Sequence, residues 1–136
     1  MSKQNWKSLG PALIWTALTL YAFFFKVPDP PEAISIPYFD KVVHLGIFAG
    51  FSFLYIFGLD HQAFFKLSFP KAVLLAIGFS IAYGGIVELI QLYFIPHRSG
   101  DFVDFMADIA GVLLGWTCYK PLMKWFEPLT SKYFAL

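Results

Sequence analysis

The sequence predicts an all-α fold: a four-span transmembrane helical bundle with both termini cytoplasmic, as one domain over residues 1–136. Three observations predict it. The 136 residues are 58% hydrophobic and only 14% charged, where soluble domains carry about 25% charge. A soluble chain of this size keeps too much surface in water to hide so much apolar area. Four runs have span length, and none shows the sustained alternation of a strand. The same composition excludes several classes. One cysteine makes no disulfide scaffold, a net charge of +1 is not the basic footprint of a nucleic-acid binder, and the apolar content excludes a disordered chain.

The spans follow in order at about residues 9–25, 42–59, 72–95 and 102–123. Each is about 17–25 residues, enough to cross a hydrocarbon core of about 30 Å at 1.5 Å per residue. The first carries no charge. Lys3 and Lys7 precede it as in a signal peptide, but it is longer than an h-region of about 7–15 residues and ends in bulky Phe23-Phe24-Phe25, so it reads as a retained span. The second holds His44 as its one residue of the Asp, Glu, His, Lys and Arg types, the third is interrupted by Glu88 and Gln91, and the fourth carries Asp104, Asp108 and Lys120. Between them lie breakers: Pro28, Pro30, Pro31 and Pro37, then Pro70, then Pro96, with Pro121 and Pro128 beyond the apolar centre of the fourth span.

Lys and Arg set the orientation. Lys3, Lys7, Lys66, Lys71, Lys120, Lys124 and Lys132 fall on one side, and Lys26, Lys41 and Arg98 on the other. The first side is therefore cytoplasmic in a multi-pass protein of the inner (cytoplasmic) cell membrane. Trp6, Trp116 and Trp125 fall near span ends, where such rings anchor at the interface. The rest of the aromatic excess reads as lipid-facing bulk, and Cys118 as an inert buried thiol.

With that orientation, Asp40, Lys41, His44, Glu88, Gln91, Arg98, Ser99, Asp101, Asp104 and Asp108 all belong to the outer half of the membrane or its surface. Asp40 and His44 share a helix face, as do Ser80, Gly84, Glu88 and Gln91, and as do Asp101, Asp104 and Asp108 with Gly111 and Gly115 beyond them. Asp108 lies about 10 Å deeper than Asp101, and Glu88 about 12 Å below the outer turn. Taken singly, Asp101 reads as a helix cap, Lys41 and Arg98 as snorkelling anchors, and Gly111 with Gly115 as a packing face. Gly46 and Gly50 form a second such pair on the face opposite His44, and either pair offers a homo-oligomer contact. His44, Glu88, Gln91, Asp104 and Asp108 as a set read as functional, because intramembrane ionisable groups cost about 2.5–3.5 kcal/mol each on insertion scales.

At these residues the sequence resembles the VanZ-like family of small membrane proteins, named for a teicoplanin-resistance protein. Three blocks over about residues 38–116 carry the resemblance: Asp40-Lys41-Val42-Val43-His44 with Phe48; Glu88-Leu89-Ile90-Gln91 before Pro96; and Arg98-Ser99 with Asp104, Gly111 and Gly115. The family pattern has Asn where this chain has Asp108. The extra acid makes the site more negative, unless Asp108 is protonated or paired. The resemblance implies an integral membrane protein of the cell envelope, with glycopeptide resistance as the namesake's role, and implies no particular reaction.

The expected role is envelope-associated binding or accessory function: an outward polar pocket for a lipid head group, a lipid-linked wall precursor or a lipophilic glycopeptide. Lys41 and Arg98 suit phosphate or carboxylate, and the acids and Gln91 suit amines, hydroxyls or amides. The alternative is a membrane-embedded enzyme acting on a lipid-linked envelope substrate, with His44, Glu88 and Asp104 as its candidate acid–base groups. One imidazole among His44, Glu88, Asp104 and Asp108 suits Mg²⁺, Mn²⁺ or Zn²⁺ in a metal-dependent version. No H-x-x-x-H pair, C-x-x-C or phosphate loop is present, so no metal or cofactor is assigned from sequence. A proton path is disfavoured because the inner halves of the spans carry no matching charges.

Overall fold

A computed structural model describes residues 6–25, 37–62, 64–95 and 102–134, without the side chains of residues 6, 130, 131, 133 and 134. A 3-10 turn, Trp6–Leu9, leads into α1 (Gly10–Phe24), followed by α2 (Phe39–His61), α3 (Phe69–Phe94) and α4 (Phe102–Phe134). No strand occurs among the described residues. Local chemistry accounts for the ends. Pro11 and Pro70 sit in the first turns of α1 and α3, where a missing N–H costs nothing. Tyr38, left-handed at φ 61°, turns the chain into α2, and Phe25, in extended backbone, ends α1.

Three helices are long and apolar enough to cross a membrane: Phe39–His61, Phe69–Phe94 and Phe102–Leu129, with mean hydropathies of 2.0, 2.1 and 1.3. α1 has 15 residues, about 22 Å, and is shorter than a hydrocarbon core. Large apolar side chains are exposed on every outward face, including Leu13, Ile14 and Leu18 of α1, Leu74 and Leu75 of α3, and Leu113 and Leu114 of α4. A soluble protein does not display apolar surface on this scale, whereas a bilayer solvates it.

Neighbouring helices alternate in direction. Ser8 meets Gly58 while Phe23 meets His44, so α1 and α2 are antiparallel. His44 meets Glu88 while Tyr55 meets Phe79, so α2 and α3 are antiparallel. Gly84 meets Asp108 while Phe69 meets Tyr119, so α3 and α4 are antiparallel as well. α2 and α4 therefore run parallel, and they form the most extensive helix pair in the bundle.

That pairing depends on glycine. A Cβ on Gly111 would collide with the Leu45 carbonyl oxygen, and one on Gly115 with the Ala49 carbonyl and the Ser52 hydroxyl. Small residues at i and i+4 let the backbones touch, as read from sequence. The Gly111/Gly115 face is thus filled by α2 of the same chain and offers no contact to a second copy. Gly50 is likewise covered, by the Trp15 ring at 3.0 Å from a built Cβ, while Gly46 is open.

Three expectations need correction. The fourth helix does not stop near Met123 but continues through Pro121 and Pro128 to Phe134. Each proline frees one carbonyl, those of Thr117 and Lys124, on exposed turns, and neither break propagates. The aromatic excess is not only lipid-facing. Phe48, Phe51 and Tyr55 of α2 are buried, and Phe51 stacks on Tyr55 and Tyr83 with centroids 4.8 and 4.6 Å apart. Cys118 is only partly buried.

Candidate functional site

The polar groups of α2, α3 and α4 meet at one end of the bundle, that of the α2 and α4 N-termini. The reason is helical spacing. Ser80, Gly84, Glu88 and Gln91 are all buried on the inner face of α3, as the i, i+4, i+8 stripe requires. Asp104 and Asp108 lie one turn apart on the α4 face that continues into Gly111 and Gly115. Lys41 and His44 lie nearly one turn apart on the facing side of parallel α2, so the two helices pair in rungs.

The upper rung is ionic and reaches the surface. Lys41 Nζ lies 2.6 Å from Asp104 Oδ1 and 3.0 Å from Asp40 Oδ2. The Lys41 and Asp104 side chains are 21% and 14% exposed, while Asp40 is largely outside at 59%. The lower rung is buried. His44 Nδ1 lies 2.8 Å from Asp108 Oδ1 and 3.8 Å from Glu88 Oε1. The Asp108 side chain is 1% exposed. Its second oxygen, Oδ2, has no hydrogen-bond partner among the described residues. That oxygen points at Gly84, where a built Cβ would stand 3.0 Å away and also 3.1 Å from the Phe48 ring. Gly84 therefore makes the space in which the carboxylate sits.

Gln91 does not join this ladder directly. Its Nε2 donates to the Phe23 carbonyl oxygen at 3.4 Å, tying α3 to the end of α1. Phe23 also lies against His44, with ring centroids 5.3 Å apart. Of the sequence candidates, Asp40, Lys41, His44, Glu88, Gln91, Asp104 and Asp108 come together. Arg98, Ser99 and Asp101, including the expected Asp101 cap, lie outside the described residues.

Sequence reasoning missed the share of α1. Thr16 and Thr19 hydrogen-bond the Tyr55 and Tyr83 hydroxyls at 2.8 and 2.9 Å, and Phe23 packs over the imidazole. The signal was present: Ala12, Thr16, Thr19 and Phe23 recur at helical spacing and mark the inner face of an otherwise uncharged run.

Two rungs thus share six titratable groups: Asp40, Lys41 and Asp104 above, His44, Glu88 and Asp108 below. The arrangement can hold a polar group of opposite charge at the Lys41–Asp104 mouth, and it can hold a proton or a cation between His44 and two carboxylates below. No curated protein and no solved structure matches the chain. The VanZ/LLP1 family profile matches residues 2–125, a stretch of this chain that includes the three sequence blocks, so this membrane protein belongs to the VanZ/LLP1 family.

Proposed function

We propose that the chain is a four-span inner-membrane protein with cytoplasmic termini, whose polar end faces outward and binds the head group of an amphiphile. A lipid head group, a lipid-linked wall precursor and a lipophilic glycopeptide share the needed chemistry, a charged or amide-rich head on an apolar body. The carrying observation is the Lys41–Asp104–Asp40 cluster at the mouth of an apolar bundle, partly exposed and backed by the buried His44 rung. The ammonium offers an anion a partner, and the two carboxylates offer partners to amines and hydroxyls. The fourth crossing draws on α1 with its leading 3-10 turn, about 22 Å plus about 8 Å, which matches a core of about 30 Å. The outward orientation draws on the lysines: Lys7, Lys66, Lys71, Lys120, Lys124 and Lys132 gather at the opposite end.

Native mass spectrometry of the detergent-purified chain tests this reading. The wild type should retain a co-purified amphiphile, and Lys41→Ala and Arg98→Ala should lose it. Equal retention in all three removes the reading's support.

The 2.8 Å contact between His44 Nδ1 and Asp108 favours a second reading, a membrane-embedded enzyme acting on a lipid-linked envelope substrate. A carboxylate that holds one imidazole nitrogen fixes the ring's tautomer and orientation for acid–base work at the other. In that case His44→Ala abolishes turnover even in the fraction of the protein that is folded and inserted in the membrane.

A further inference from the structure

We infer that His44, Glu88 and Asp108 form a binding site for one divalent transition-metal ion, with Zn²⁺ the best fit. The three residues come from α2, α3 and α4, and one ligand atom of each lies within 4.8 Å of the others. Four-coordinate zinc with ligand bonds of about 2.0–2.1 Å holds its ligand atoms about 3.3 Å apart. The measured separations from His44 Nδ1, 2.8 Å to Asp108 and 3.8 Å to Glu88, bracket that value. Entry of the ion then needs adjustments of about half an ångström along the two His44 separations, with all three ligand atoms already within 4.8 Å of one another.

A second, independent observation points to a ligand. Asp108 Oδ2 is buried and has no hydrogen-bond partner among the described residues, in a side chain only 1% exposed. A buried carboxylate oxygen without a partner is costly. Gly84 leaves room for it rather than a donor. Lys41, one turn above, is engaged by Asp104 and Asp40. A divalent ion held by Oδ1 neutralises both acids and so lowers the cost of leaving Oδ2 buried without a donor.

The donor set selects the ion. One imidazole and two carboxylates, with no thiolate, suit zinc or manganese; copper(I) prefers sulfur, and calcium needs six to eight oxygens. Zinc takes the place of the proton between Nδ1 and Asp108, which leaves to water. Three protein ligands leave a fourth position for water or a ligand oxygen. Asp104 is not a ligand, because Lys41 holds it. The site uses none of Lys41, Arg98 or Asp104, so it stands or falls separately from head-group binding.

The experiment uses the full chain in detergent, stripped with a chelator, reloaded with Zn²⁺, desalted and assayed for metal content. We expect about one zinc per chain. Asp108→Asn and His44→Ala should each weaken Zn²⁺ binding at least 10-fold, whereas His61→Ala, at the other end of the bundle, should bind as wild type does. Co²⁺ in place of zinc should give the strong visible bands of a four-coordinate N/O site in the wild type, and these should vanish in Asp108→Asn. A wild type that retains no zinc, its His44–Asp108 contact being an ion pair only, overturns the site. Unchanged binding in Asp108→Asn does so too. Should Asp108→Asn fail to fold, the wild-type cobalt spectrum and Glu88→Gln, expected to weaken zinc at least 10-fold, decide the matter. Lys41→Ala should keep its zinc while losing any amphiphile, which separates the two readings.

Discussion

The two ends of the α2–α4 pair solve the same problem differently. At the end near the start of α1, the described hydrogen bonds pair side chains with backbone groups or pair a hydroxyl with a surface carboxylate, and the one described ion pair, His61–Asp60, is long at 4.0 Å. Tyr119 donates to Asp60 Oδ2 at 3.1 Å, Ser8 donates to the Gly58 carbonyl, His61 Nδ1 donates to the Phe57 carbonyl, and Gln62 Oε1 accepts the Phe65 N–H at 2.7 Å. The Asp60 side chain remains 27% exposed. At the other end two acids and an imidazole are packed together, and one carboxylate oxygen is left over. Helix glue needs only the first kind of contact. The second kind costs stability unless something else occupies it.

The largest effect expected from breaking this contrast is at His44. His44→Ala removes the hydrogen-bond partner of Asp108 and leaves a buried acid alone. Removing one partner of a buried pair costs about 3–5 kcal/mol. Thermal unfolding in detergent, followed by tryptophan fluorescence, should register it. Adding Asp108→Asn to the same chain should recover much of the loss, since an amide is cheaper to bury than a carboxylate. If the double variant were as unstable as the single one, the charge would not be the cause.

The seam between the two ends comes next. Gly111→Ala drives a methyl into the Leu45 carbonyl, and backbone cannot swing aside. Overpacking of this kind costs about 1–3 kcal/mol. Gly46→Ala, on the same helix pair but with nothing within 4 Å of its built Cβ, should be neutral or slightly stabilising. The same unfolding assay compares them, and equal effects would mean that glycine at 111 is not needed for the close approach.

Much of this was legible in the sequence, and the limits are physical. Span length and all-round apolarity marked α2, α3 and the start of α4 within a few residues, whereas α4 runs on from Met123 to Phe134. Helical spacing put Glu88, Gln91, Asp104, Asp108, Gly111 and Gly115 on inward faces, where they are found partly or fully buried. Spacing fixes a residue's face and height on its own helix, but not the rotation of its neighbour. Spacing alone therefore offers Asp104 as the acid–base candidate beside His44, whereas packing sets Lys41 on Asp104 and His44 on Asp108. The continuation of α4 past Pro121 was hidden because proline breaks helices in water more readily than in an apolar surround, where abandoning the remaining backbone hydrogen bonds costs more. Phe23 was obscured by its place in an uncharged Phe run, although it touches both Phe48 and His44.

The smallest effect should come from the satisfied end. Tyr119→Phe deletes one hydrogen bond to Asp60 and keeps the ring that packs on Phe53 and Phe69. Asp60 is partly exposed, so water can replace the lost donor. The cost should be about 1 kcal/mol or less, in line with single hydrogen bonds in membrane proteins. Amphiphile retention and zinc content should not change, because the variant lies most of a span away from Lys41 and His44. A loss of either with the fold intact would mean that the two ends are coupled through α4, and that the polar end is not a self-contained site.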